Sequence, residues 1–128
     1  MADAESGTLE TMRANPAWDA ESYADAVETL SEEGLDFRIW GGDWCSDCRN
    51  QLPDFGAALD AAEVPEENIH HYPVEKEEDG SKTGPLVEEY GIELIPTVVV
   101  EREGDEVARF VEEEPVSVAV YLADELRR

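Results

Sequence analysis

Positive charge is what this 128-residue chain has least of. Its 9 Lys and Arg stand against 33 Asp and Glu, for a net charge of −24 and a pI near 4.1. Only Lys76 and Lys82 are lysines. A field of that sign excludes nucleic acid and anionic lipid as general partners. Long apolar runs are missing too; residues 97–100 form the longest candidate, far short of a membrane span. The start, Met1-Ala2-Asp3-Ala4-Glu5, lacks the apolar stretch of a secretory signal, so the expected location is the cytoplasm. Histidine occurs only as His70 and His71, and cysteine only as Cys45 and Cys48. A structural zinc site needs four ligands, and these two pairs lie on different segments. No stretch has EF-hand spacing. No metal is expected, and no cofactor is implied.

The acids are spread through every segment, among residues with clear helix and strand periodicity, so disorder is a poor explanation. Self-repulsion at this density opposes a compact state in dilute buffer. At molar salt the Debye length falls to about 3 Å and screens it. The composition resembles that of proteins from the high-salt cytoplasm of extreme halophiles; an ordinary acidic protein is the alternative. With 41% hydrophobic residues the length suits one domain over 1–128.

Residues 8–14 suit a short helix, ended by Asn15-Pro16. A helix over 21–33 places Tyr23, Val27 and Leu30 on one face and stops at Gly34. Residues 35–40 alternate Leu35, Phe37 and Ile39 with Asp36 and Arg38, which reads as a strand. A helix over 49–62 buries Leu52, Phe55, Leu59 and Ala62, with Pro53 inside it. A second strand covers 68–74, a charged loop 75–84, and a short helix follows to Tyr90 with Pro85 in its first turn. Residues 97–101 and 106–111 form a hairpin turning through Gly104. Ser117 caps a final helix carrying Val118, Tyr121, Leu122 and Leu126. A βαβ unit, a hairpin and a closing helix make a mixed α/β sheet with helices on both faces.

The chemistry lies in Trp44-Cys45-Ser46-Asp47-Cys48-Arg49, between the first strand and the helix after it. Two thiols three residues apart on a first helical turn can close a small disulfide, and a helix N-terminus favours a thiolate. The alternatives are a pair of inert buried thiols or an iron–sulfur cluster bridging two chains. Trp40 reads as core and Trp44 as site. His70 and His71 read as solvent-facing or edge-strand residues, and Asp47 as a possible helix cap.

Over residues 20–128 the chain resembles the thioredoxin family. Trp44 to Cys48 matches its WCxxC motif, Pro53 its helix proline, and Tyr90-Gly91-Ile92-Glu93-Leu94-Ile95-Pro96-Thr97 its YGIxxIPT run. The resemblance implies a thioredoxin-like fold of about four strands, a cis Ile95–Pro96 bond, and residues 1–19 as an N-terminal helical extension in place of the family's first strand. It implies thiol–disulfide exchange, with Cys45 attacking a client disulfide and Cys48 resolving it. Trp44, Ser46, Asp47, Ile95, Pro96 and Thr97 would support the client. It implies protein disulfide clients, a thioredoxin-reductase-like electron donor and a monomer.

The family's buried acid, six residues before the nucleophile, corresponds here to Ile39, so Asp47, Asp43 or water is expected to move the resolving proton. Asp43 and Asp47 set negative charge near Cys45, which disfavours its thiolate, while Arg49 and the helix dipole oppose them. These features favour a reductant. Glu112, Glu113 and Glu114, where the family has a glycine, suggest a narrow client set. The rival readings are a disulfide oxidase or isomerase, and a redox-sensing binding or chaperone module without turnover.

Overall fold

The computed structural model describes residues 9–78, 82–111 and 116–127. Alternation builds the central strand, β1 (Leu35–Gly41). Leu35, Phe37 and Ile39 are buried on one face, and Asp36, Arg38 and Trp40 turn to the other. β1 pairs in parallel with β2 (Ile69–Pro73) and antiparallel with β5 (Thr97–Arg102). β5 pairs antiparallel with β6 (Asp105–Val111), so the sheet order is β2-β1-β5-β6.

Partners across strands share a face, so Ile39, Val98 and Phe110 form one apolar row and Phe37, Val100 and Ala108 the next. Helices α1 (Ala24–Leu30), α2 (Ser46–Ala61) and α4 (Val118–Leu126) pack together over these rows. Phe37 meets Phe55 of α2 edge-on, with ring centres 6.2 Å apart, and Phe110 meets Tyr121 of α4 at 5.6 Å. On the other face Trp40 lies between Tyr72 and Tyr90, each centred 4.9 Å away. Tyr90 ends α3 (Val87–Tyr90). A mixed four-stranded sheet with helices on both faces and an N-terminal helical segment is the thioredoxin-like fold expected from the sequence.

Several elements differ from expectation. The N-terminal helix is a single 3-10 turn, Glu10–Met12, and Thr8 lies outside the described residues. The helix predicted over 21–33 divides. Asp19 caps a 3-10 turn, Ala20–Tyr23, by accepting the Glu21 N–H, and the α-helical part begins only at Ala24. Tyr23 does not join the core; its ring stacks on Trp18 at 5.1 Å. The loop 75–84 contains a small ladder of β3 (Glu75–Lys76) with β4 (Lys82–Thr83). Pro85 is not in the first turn of α3, because Leu86 adopts a left-handed conformation (φ 61°) between them. Ser117 occupies the N-cap of α4 by backbone position without a side-chain bond.

Candidate active site

The chain leaves β1 at Gly41, turns through a Cys45 N–H to Gly42 carbonyl bond of 3.0 Å, and enters α2. Both glycines lie close against side chains. A Cβ on Gly41 would stand 3.1 Å from Leu52 Cδ1, 3.3 Å from Cys48 Sγ and 3.5 Å from Leu9 Cδ1. A Cβ on Gly42 would stand 2.5 Å from the Trp44 indole nitrogen.

Cys45 is itself the N-cap of α2. Its backbone is extended, and its Sγ accepts the Cys48 N–H at 3.4 Å. The cap is therefore not Asp47, which lies in the first turn, and the helix starts at Ser46 rather than Arg49. Cys45 is half-buried and Cys48 wholly buried, and both are free thiols. Burial pushes the Cys48 thiol up to about 12; the Gly42 N–H on its sulfur, at 3.4 Å, opposes this, while Cys45 and the charge of Asp47 reinforce it. Trp44 is 46% exposed, yet its indole N–H donates to the Val74 carbonyl at 2.9 Å, which pins the ring beside the dithiol. Ser46 is exposed at the head of α2.

The sheet register brings residues 95–97 to the same end. Thr97 opens β5 opposite Trp40, one residue before β1 ends. Ile95, Pro96 and Thr97 are buried, the Ile95–Pro96 bond is cis, and the Thr97 hydroxyl donates to the Leu94 carbonyl at 2.6 Å. β6 also ends here, with Val111 opposite Thr97; Glu112, Glu113 and Glu114 lie outside the described residues.

Two of the charged residues expected to tune the dithiol also make structural hydrogen bonds. The Asp43 carboxylate accepts the N–H groups of Glu10 and Thr11 at 3.2 and 3.0 Å, and Arg49 donates to the Asp43 carbonyl at 2.9 Å. Asp47 remains as the carboxylate whose charge acts on Cys48. Ile39 is fully buried.

Two features escaped the sequence reading. The first is the hold of segment 9–15 on this site. It includes an N–H of Leu9 donating to His71 Nδ1 at 3.1 Å. His71 is on the edge strand as expected, but on the α2 side. Burial holds its imidazole below the ordinary range, against the pull of Asp43. An open cleft of about 490 Å³ runs beside Trp44, with Leu9, Pro73 and Val74 as its apolar wall. The second is a polar cluster under the far face of the sheet. Arg38 donates to Glu101 at 2.7 Å and to the Tyr72 hydroxyl, and the Tyr90 hydroxyl donates to Glu101 at 2.7 Å. Burial raises the Glu101 carboxyl, but the bonds from Tyr90 and Arg38 outweigh it and hold the group below the carboxylate range. The alternation along 35–40 reads only as a strand; the pairing of β1 with β2 and β5 reveals the partners of Arg38.

No protein-family model matches the chain, and no curated protein matches it. Among solved structures, the chain is similar to a mutant thioredoxin from Halobacterium salinarum (18% identity, 94% of each chain covered, TM-score 0.47). It is also similar to thioredoxin O2 from Arabidopsis thaliana in its oxidized state (15% identity, 94% of this chain and 96% of that one, TM-score 0.48). A third is a DsbH oxidoreductase (21% identity, 99% and 95%, TM-score 0.47).

Proposed function

We propose that this protein is a thiol–disulfide oxidoreductase that reduces protein disulfides through Cys45 and Cys48. The observation that carries the reading is the asymmetry of the pair: a half-exposed sulfur at the N-cap of a 16-residue helix, backed by a buried thiol one turn on. Cys45 is the sulfur a client disulfide can reach, and Cys48 the one that can close on it afterwards.

In the first step the Cys45 thiolate bonds to one client sulfur, the client S–S bond breaks, and the other client sulfur leaves and takes a proton. In the second, Cys48 gives up its proton and bonds to Cys45 Sγ. The mixed disulfide breaks and the second client sulfur leaves and is protonated. Two electrons and two protons pass to the client, and a thioredoxin-reductase-like dithiol donor returns them. Asp47, whose charge acts on Cys48, is our candidate for accepting the Cys48 proton, the role that Ile39 cannot fill. Trp44 and residues 95–97 flank the client. The working context that fits this chemistry is a reducing cytoplasm, with the protein acting as a monomer.

The test is the reduction potential of the Cys45–Cys48 couple, read by Trp fluorescence in dithiol/disulfide buffers in molar KCl, beside turnover of insulin disulfides. We expect a midpoint near about −270 mV, and turnover that Cys45→Ser abolishes. A midpoint of about −120 to −180 mV would point instead to an oxidase or isomerase. A reversible couple without turnover would make the protein a redox-sensing module.

A further inference from the structure

Segment 9–15 is tied to the active-site helix and its surroundings along its whole length. Leu9 N–H bonds to His71, and the N–H groups of Glu10 and Thr11 bond to the Asp43 carboxylate, two residues before Cys45. The N–H of Asn15 donates to the Pro53 carbonyl at 3.0 Å and its side-chain amide to Asp54 at 2.8 Å. At Gly56 the two backbones are in contact: a Cβ there would stand 2.1 Å from the carbonyl oxygen of Met12. The Leu9 side chain is buried and reaches the hole at Gly41, where its Cδ1 and Cys48 Sγ both lie within 3.5 Å of the missing Cβ.

We propose that segment 9–15 is a strap over the resolving thiol, and that Leu9 is the positioning residue through which it keeps water from Cys48. An apolar cover removes the solvent that would stabilise a thiolate, so Cys48 keeps its proton while Cys45 is the nucleophile. The high proton affinity of Cys48, for which burial is the leading cause, is what such a cover produces. Of the titratable groups around it, Cys45 and Asp47 act on Cys48 directly, and Asp43 and His71 hold the strap. Loosening the strap hydrates Cys48, raises its thiolate population and speeds its reactions.

The inference rests on the proposed function only in calling Cys48 the resolving thiol, and its test needs neither client nor electron donor. The measurement is iodoacetamide alkylation of Cys48, from pH 7 to 11, in the Cys45→Ser background, where serine remains a good helix cap. Two variants open the strap by different routes. Leu9→Ala removes the cover. Gly56→Ala, ordinarily favourable inside a helix, drives a methyl group into the Met12 carbonyl and lifts the strap without touching the dithiol. Leu122→Ala, an equal truncation in α4, controls for general loosening. For every pH unit by which hydration lowers the titration of Cys48, the thiolate fraction rises about tenfold and its intrinsic reactivity falls roughly threefold, a net gain of about threefold at pH 8. We expect that gain or more in both strap variants, a pH profile displaced to lower pH, and neither change in Leu122→Ala. Unchanged rates in both strap variants, or the same acceleration in Leu122→Ala, would overturn the proposal.

Discussion

A thiol that holds its proton to about 12 makes the stability of the reduced protein depend on alkaline pH. In the unfolded chain Cys48 ionises near the ordinary thiol value of 9.0, so above that pH the unfolded state binds fewer protons than the native one. Stability is then fully present below pH 9 and falls as pH rises toward 12. Tyr90, pushed from 10.0 to about 12 by burial and its bond to Glu101, adds to the slope above pH 10. Urea unfolding at pH 8 to 10.5 should show the fall in the reduced protein and a shallower one in Cys48→Ser; equal slopes would contradict the assignment to Cys48. The oxidised protein, with no proton on Cys48 to lose, should behave like the variant. The dithiol was legible in the sequence because its chemistry is local: two sulfurs, one helix start, three residues. Asp43 was not. Its carboxylate holds the N–H groups of Glu10 and Thr11, partners that lie more than thirty residues upstream.

Elements with strong short-range signals came out as the pattern implied. Leu35, Phe37 and Ile39 face the core, and the hairpin turns through Glu103 and Gly104, both with positive φ (53° and 87°). Glycine adopts that conformation without cost and glutamate does not, whereas asparagine is favoured at the first position of such a turn. Glu103→Asn should therefore raise stability by about 0.5–1 kcal/mol, read from the urea midpoint; a lower midpoint would show that the Glu103 side chain contributes contacts of its own. Helix ends were less legible. The apolar spacing of Tyr23, Val27 and Leu30 suits one helix, but Asp19 caps a separate turn and Trp18 draws Tyr23 away. The β3–β4 ladder, only two residues a side, leaves too little pattern to read.

For the molecule as a whole, a net charge of −24 sets a repulsion that local pairing offsets only in part. The arginines hold carboxylates where they can: Arg102 with Glu32, Arg109 with Glu106, Arg127 with Asp124. These pairs are at least partly exposed and contribute little each. Raising KCl from about 0.1 to 2 M screens the repulsion more than it weakens them, since the Debye length shrinks from about 10 Å to below 3 Å. The urea midpoint should rise across that range with an unchanged m-value. A flat or falling midpoint would mean that specific ion pairs, not net charge, dominate the electrostatics, and would remove the physical basis for reading the composition as salt adaptation.

The sequence by itself determined the dithiol, its helix, the alternation of the central strand and the acidic field, because each is written in neighbouring residues or in composition. Tertiary structure decided what surrounds the sulfurs. That Leu9 reaches the hole beside Cys48, that Gly56 is bare so a backbone can cross it, and that Arg38, Glu101 and Tyr90 close a partly buried network all depend on segments far apart in the chain. Such contacts arise only when the sheet register and the packing of α2 bring them together, and no local periodicity encodes them.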